Sequence, residues 1–346
     1  MKQEDFMLRC FEIALLGIGH TSPNPMVGAC LVYENRIIGE GYHEKHGGPH
    51  AEVNAINSVL EEDRHLIPQS TLYVSLEPCC VYGRTPPCTN LILANKIPKV
   101  VVSTLDLSPE VAGNGIKILR EHGVDVTTGI LEDMGKVIAA SRHAIVTLDR
   151  PYIILKYAQS ANGKIGHPDK QVWFTNSISK ILVHKWRSES DGILVGANTV
   201  AIDNPALTTR EYFGKSPIRV ILDKKGNLPS ESEVFNDAAS TIHVVSNGKT
   251  TKTTPKNGKT INMDDNAPGF LDQLMSRLVE EKIGLLLVEG GAKTIQRFLT
   301  ADLWDEARIF TTEVILPDGI DAPKMEKAPE KTFQILKDKL EYYFNR

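Results

Sequence analysis

Two short segments constrain this chain more than any other feature: G-G-P-His50-Ala51-Glu52-V-N-A-I, and L-E-Pro78-Cys79-Cys80-V-Y-G-R-T-P-P-Cys88-T-N. The pattern between them leaves room for one helix and one strand, enough to return the chain to the same point. A neutral imidazole at His50 and thiolates at Cys79 and Cys88 make three ligands of a tetrahedral zinc site. The fourth position stays open, as in sites that do chemistry; a structural site is closed by a fourth protein ligand. Pro86-Pro87 can set the chain for a helix opening near Cys88, where the helix dipole favours a thiolate. Cys80 cannot easily reach the same ion as Cys79 from an unstrained turn. The alternative is ordinary buried cysteines in a reduced protein; the combination of H-A-E, P-C and P-P-C weighs against it.

Glu52 follows the first ligand by two residues, placed to shuttle protons without binding metal. Zinc lowers the pKa of bound water to about 7, and H-x-E followed by P-C is the arrangement of zinc deaminases. The loop between the cysteines is longer than C-x-x-C and holds Arg84 beside Thr85. A guanidinium near the metal suits a substrate that carries a phosphate. Asn24, between two prolines, and His43, beyond a hairpin, are polar loop residues that can line the same pocket. Each taken alone is more often a turn residue.

At 346 residues the chain is long enough for two domains. A net charge of -4 without a basic run argues against a general polyanion binder. The five cysteines (Cys10, Cys30, Cys79, Cys80, Cys88) all fall in the first quarter, which suits an intracellular metal site rather than a disulfide framework. No secretory h-region opens the chain and no apolar run reaches the ~20 residues of a membrane span, so a cytoplasmic protein is expected.

Hydrophobic periodicity predicts a helix over 5–17, a hairpin turning at Glu34-Asn35, a helix over 51–60, a strand over 71–76 and a short helix over 88–94. A strand over 99–104 and a helix over 115–122 follow. A boundary near 147–150 separates domains of residues 1–147 and 150–346. The second begins with the strand R-P-Y-I-I-L-K-Y and a helix over 177–188 capped by Asn176 or Ser177. Four apolar strands follow (G-I-L-V-G, R-V-I-L-D, T-I-H-V-V, G-L-L-L-V-E), with an amphipathic helix over 271–280 before the last. Residues 246–268 read as a loop with a short strand. Strands alternating with helices make both halves α/β.

The second half has no G-x-G-x-x-G after its first strand. Its motifs are K-Y-A-Q-S-A-N-G-K-I, V-G-A-N-T-V-A-I-D-N-P-A-L-T-T-R and V-E-G-G-A-K-T. The last can cradle a phosphate at a helix N-terminus, although a Gly-Gly pair is more often only a turn.

Together P-N-P-M-V-G, P-H-A-E-V-N-A-I, L-E-P-C-C-V-Y-G-R-T-P-P-C and the three later motifs resemble the bifunctional riboflavin-biosynthesis deaminase/reductase family. The resemblance implies a cytidine-deaminase-like three-layer α/β/α domain followed by a dihydrofolate-reductase-like α/β domain, with one Zn2+ per chain and NADPH. His50, Cys79 and Cys88 would hold the zinc, Glu52 would move protons, and Arg84 would take the family's basic phosphate-binding position. Lys156, Arg187, Leu207, Arg210 and Glu289 would face the substrate, both arginines suiting its phosphate. Ala158, Trp173, Thr199, Asp203 and the turn Gly291, Ala292, Lys293, Thr294, Ile295 and Gln296 would contact the dinucleotide.

Three positions depart from the family pattern: Val81 replaces a histidine, Asp106-Leu107-Ser108-Pro109 replaces D-P-N-P, and Ser160-Ala161-Asn162-Gly163 replaces S-x-D-G. The last is expected at the mouth of the nicotinamide site. The expected partner is a small phosphorylated pyrimidine, with no nucleic acid or membrane, and the chain is expected to form a homo-oligomer. Two other readings remain: one half is a degenerate binding or scaffold module, or the chain is a nucleic-acid deaminase, whose short C-x-x-C and basic surface are absent.

Overall fold

The computed structural model describes every residue except Met1, Arg84, Thr85, Asn247, Gly248, Thr250, Lys252 and Arg346. Two compact units divide the chain, residues 1–150 and 151–346. No helix among the described residues is long and apolar enough to cross a membrane.

In the first unit α1 (Gln3–Ala14) leads to the hairpin β1 (Gly28–Tyr33) and β2 (Arg36–Tyr42), then to α2 (Ala51–Asn57) and β3 (Thr71–Leu76). Next come α3 (Cys88–Ala94), β4 (Lys99–Thr104), α4 (Asn114–Glu121), β5 (Asp125–Thr128), α5 (Glu132–Ile138) and α6 (Ala140–Leu148). The sheet runs β2-β1-β3-β4-β5, with β1 antiparallel to both neighbours and β3, β4 and β5 parallel. Glu34 and Asn35 both take left-handed φ, 43° and 64°, the turn whose twist matches a hairpin.

Alternate residues of these strands face two separate cores. Leu31, Val100 and Val102 pack with Ala55, Ile92 and Leu119 on one side. Cys30, Val32 and Val101 pack with Phe6, Cys10 and Phe11 of α1 on the other. Period-two burial on both faces makes this a three-layer α/β/α structure.

In the second unit β6 (Tyr152–Gln159), β7 (Lys164–Gly166), α7 (Ser177–Glu189), β8 (Gly192–Gly196), α8 (Ala197–Asp203), β9 (Ile218–Asp223), β10 (Thr241–Ser246) and β11 (Gly258–Met263) come first. Then follow α9 (Phe270–Glu280), β12 (Leu285–Val288), α10 (Ala292–Thr300), β13 (Glu306–Thr311), β14 (Ile320–Asp321), β15 (Lys331–Ile335) and β16 (Asp338–Phe344). The main sheet runs β11-β10-β9-β8-β12-β6-β13-β16-β15. It is parallel through β13, and β16 and β15 close it in antiparallel fashion. Asn176 caps α7, its Oδ1 accepting from the N–H groups of Ile178 and Ser179.

The sequence misplaces some ends and misses some elements. The helix expected over 51–60 stops at Asn57, where Ser58 Oγ bonds back to Ala55 O at 2.8 Å. The end of the first helix tightens into a 3-10 turn over Leu15–Gly17. Strand β5, helices α5 and α6, and the β15–β16 hairpin have no strong periodic signal and were not identified.

Helix α2 lies almost backbone to backbone on β2, because β2 presents Gly39 and Gly41 to it. A Cβ on Gly41 would sit 2.4 Å from Ala55 N and 2.5 Å from Asn54 C; one on Gly39 would sit 2.3 Å from Ala55 O. Gly41→Ala is therefore expected to lose about 1–3 kcal/mol of stability, the usual cost of overpacking. Denaturant unfolding measures it. An unchanged midpoint would show that α2 can retreat from the strand freely.

Candidate active sites

In the first unit three turns converge at the C-terminal ends of β3 and β4 and the start of α2. His50 is the residue preceding α2, with extended backbone, and Glu52 is buried in the helix's first turn. Strand β3 delivers Cys79, and α3 begins at Cys88 immediately after Pro87. His50 Nδ1 lies 3.5 Å from Cys79 Sγ and 3.3 Å from Cys88 Sγ. A tetrahedral zinc with Zn–S of ~2.3 Å and Zn–N of ~2.0 Å would separate its ligand atoms by about 3.5–3.8 Å, so this donor set fits the ion. Among the described residues it is the only group of three or more potential ligands close enough to share a metal. Cys80 turns away and bonds to Glu110 O.

The electrostatics favour a thiolate at Cys79. Hydrogen bonding to Cys88 and His50 holds the Cys79 thiol down to about 4, while the bond to Cys79 and burial push Cys88 up. The N–H of Cys88 also donates to Cys79 Sγ at 3.3 Å. Burial pushes the Glu52 carboxyl above its ordinary range, and the neighbouring Cys79 adds to the effect.

Asn24 and His43 do come to this site. Asn24 Nδ2 lies 3.0 Å from His43 Nε2, His43 Nδ1 lies 2.8 Å from Pro49 O, and the His43 ring stands edge-on to His50 at 5.5 Å. Arg84 and Thr85 lie outside the described residues. Val81 is exposed. Ser108 is tied into its surroundings: its N–H and hydroxyl donate to Asp106 Oδ1, and Arg142 donates to Ser108 Oγ at 2.7 Å.

Glu77 is a residue whose part the sequence does not reveal. Its carboxylate is buried and accepts from the N–H groups of Gly113 and Ile116 at 2.9 and 3.3 Å. It thereby locks the Pro78-Cys79 turn to the start of α4. The segment L-E-P-C quotes the acid, but nothing local points to partners so far along the chain.

The second unit holds a cavity of about 810 Å³ at the C-terminal ends of its parallel strands, where open α/β sheets bind ligands. Lys156, Arg187, Leu207, Arg210 and Glu289 all line it, as do Ala158, Trp173, Thr199 and Asp203. Gly291, Ala292, Lys293 and Thr294 join them. Two expected residues do not. Ile295 points inward and is fully buried in the core, and Gln296 lines a separate groove beside α9. A helical turn points successive side chains in different directions, so a continuous run cannot all face one ligand.

Glu289 is buried, with Arg187 Nε and Nη2 donating to its two oxygens at 2.8 Å each and Lys156 Nζ 3.8 Å away. Burial opposes its charge, yet Arg187 and Lys156 together hold it down to about 2. The Arg187 fork is thus occupied, whereas Arg210 is exposed and lies 3.9 Å from Glu211 Oε1. His184, also in the lining, is held down to about 4 by burial and by Arg187 and Arg210.

Ser160 and Asn162 are not part of the lining. Asn162 Oδ1 accepts from Ser160 Oγ at 2.7 Å and from Leu316 N–H at 3.0 Å, and its Nδ2 donates to Leu316 O at 2.9 Å. Only an amide can both donate and accept in this bridge.

Comparison with known proteins matches each unit to a family. The family model of the cytidine and deoxycytidylate deaminase zinc-binding region matches residues 1–104, and that of the RibD C-terminal domain matches residues 151–325. Riboflavin biosynthesis protein RibD of Aquifex aeolicus is 36% identical over 345 residues, 98% of this chain and 95% of that protein. RibD of Escherichia coli is 30% identical, covering 96% of each. The crystal structure of a diaminohydroxyphosphoribosylaminopyrimidine deaminase/5-amino-6-(5-phosphoribosylamino)uracil reductase from Thermotoga maritima superposes with a TM-score of 0.87 at 37% identity. It covers 98% of this chain and 97% of that one.

The Asn162 bridge has a direct test. Asn162→Asp removes the donor to Leu316 O and sets a carboxylate against that carbonyl. It should cost about 1 kcal/mol of stability and give no gain in reductase rate. A ~100-fold gain, equal to about 2.7 kcal/mol in the transition state, would show that negative charge is needed there.

Proposed function

The chain belongs to the RibD family of riboflavin biosynthesis proteins, and on that premise we propose a residue-level division of its two reactions. It is an enzyme with a zinc-binding deaminase domain and a reductase domain. The first unit would remove the ring amino group of 2,5-diamino-6-(5-phosphoribosylamino)pyrimidin-4-one by hydrolysis. The second would then open the ribosyl group to ribityl with NADPH.

What supports the deaminase reading most directly is the meeting of His50, Cys79 and Cys88 at tetrahedral spacing beside the buried Glu52. One zinc per chain, held by those three side chains, would lower the pKa of a water molecule toward 7. Glu52 would take the water proton, deliver it to a ring nitrogen, and protonate the departing ammonia. Asn24 and His43, joined by a hydrogen bond, would orient the pyrimidine.

In the second unit NADPH supplies the reducing equivalent when bound. The chain's own contribution is placement and charge. Lys156 lines the cavity, where burial pulls its pKa below the ordinary lysine value and Glu289 opposes that shift. Arg210 would take the substrate phosphate, and Thr199, Asp203 and the Gly291 turn would position the dinucleotide.

Incubating the purified protein with the diaminopyrimidine, with and without NADPH, and weighing the products by mass spectrometry tests the whole reading. Loss of the amino group alone is expected without NADPH, and a further gain of two hydrogens with it. Unchanged substrate in both arms would overturn the assignment. Cys79→Ser and Cys88→Ser should each lose most of the zinc while Cys80→Ser keeps it. Glu52→Gln should keep zinc and lose ~100-fold or more in deamination, with reduction of the deaminated intermediate untouched. Near-normal deamination in that variant would remove Glu52 from the mechanism.

A further inference from the structure

Residues 204–217, between α8 and β9, form no helix or strand, yet one face of α7 holds them in place. Lys180, His184 and Arg187 stand at i, i+4 and i+7, so their side chains share a face, and all three line the second cavity. Each grips a different point of the segment 208–211. Lys180 Nζ lies 2.5 Å from Glu211 Oε1, Arg210 N–H donates to His184 Nδ1 at 3.2 Å, and Arg187 Nη1 donates to Thr208 O at 3.4 Å. The segment therefore runs along the helix against its direction. It then turns and comes back. A Cβ on Gly214, at φ 133°, would sit 2.7 Å from Ser188 Cβ, and Lys215 Nζ lies 3.6 Å from Asp191 Oδ1.

A segment without ladder hydrogen bonds takes its position from the side chains that satisfy its backbone. Of the three grips on 208–211, that of His184 is the buried one. Its imidazole is 2% exposed, whereas the Lys180 and Glu211 side chains are 33% and 34% exposed, and pairs of that kind contribute little. Arg187 is committed to Glu289 through its other nitrogens and reaches Thr208 O beyond the usual hydrogen-bond length. An imidazole that accepts at Nδ1 is neutral, with its proton on Nε2. Burial, then the nearby Arg187 and Arg210 guanidiniums, hold the His184 pKa down to about 4, so it stays an acceptor at neutral pH.

We propose that His184 is a positioning residue for the reductase reaction: by accepting the N–H of Arg210 it fixes where that side chain leaves the cavity wall, and so how the phosphorylated substrate is held. The inference rests on the assignment of Arg210 to the substrate phosphate. A buried histidine satisfied by a passing loop is the commoner case, and it would stabilise the fold without touching substrate affinity. Here the donor is the backbone of a substrate-facing residue, and the segment that carries it has no helix or strand of its own to place it.

Steady-state reduction of the deaminated intermediate by the full-length protein at saturating NADPH tests it, with deamination and NADPH binding as checks on folding. His184→Leu removes the acceptor and should raise KM ~10-fold, with a smaller change in kcat and with NADPH affinity within about twofold of wild type. His184→Asn sets an oxygen near the Nδ1 position and should recover most of the KM; His184→Gln sets its amide near Nε2 and should not. The same substitutions made on Arg210→Ala should cost little further, because the guanidinium they act through is gone. An unchanged KM in His184→Leu, equal KM values in the Asn and Gln variants, or additive effects across that cycle overturn the inference while leaving Arg210 in its role. If His184→Leu does not fold, the Asn and Gln variants carry the same cycle. A wild type that does not reduce the intermediate, or an Arg210→Ala variant with unchanged KM, overturns the assignment of Arg210 and the inference with it.

Discussion

Backbone pressed against backbone leaves no slack, and the first unit is built around such a contact. Helix α2 rests on the glycines of β2, so its height above the sheet is set by main-chain atoms rather than by adaptable side chains. His50 and Glu52 inherit that height. On the facing side Glu77 ties the Cys79 turn to α4 through backbone N–H groups. The metal donors are thus fixed from two directions by contacts that do not involve the metal, which is how a site keeps its geometry while one coordination position stays open for chemistry.

The two sites solve opposite electrostatic problems. The first gathers thiols and an imidazole around a place meant for a cation, and its carboxyl is pushed toward the neutral form by burial. The second buries a carboxylate outright. Desolvation of Glu289 is tolerable only because Arg187 grips both oxygens and Lys156 stands behind it. Surface pairs such as Lys117–Glu121 at 4.0 Å contribute little by comparison, whereas removing one partner of the buried trio would strand a charge. Beyond that trio lysines and arginines still outnumber carboxylates around the cavity.

Much of this was legible in the sequence where the signal is local. His50 and Glu52 share a helical turn, Pro87 precedes Cys88, and β3, β4 and α3 begin and end where periodicity and punctuation placed them. The fold class and the family followed from motifs of this kind. What was not legible is long-range. Glu77 reaches Gly113, Asn162 reaches Leu316, and Asp223 reaches His243, and no spacing rule joins such pairs. Asn162, expected at the mouth of the nicotinamide site, instead bridges Ser160 and Leu316 outside the cavity lining. The continuous run Gly291–Gln296 was too generous for the same reason, since a helix turns half its residues away from any one ligand.

The hairpin β15–β16 had no motif, and the matched C-terminal family region ends before it, at residue 325. Yet β16 pairs with β13 along its whole length from Glu306 to Thr311, and Tyr342 with Trp186 and Arg308 forms an aromatic and cationic stack across that seam. Without these last residues β13 would become a raw edge, hydrophobic and unpaired, of the kind that recruits strands from other molecules. An excised reductase half trimmed to the motif-bearing region would thus be prone to aggregate while keeping every cavity-lining residue. Solubility and chemistry are encoded in different stretches of this domain.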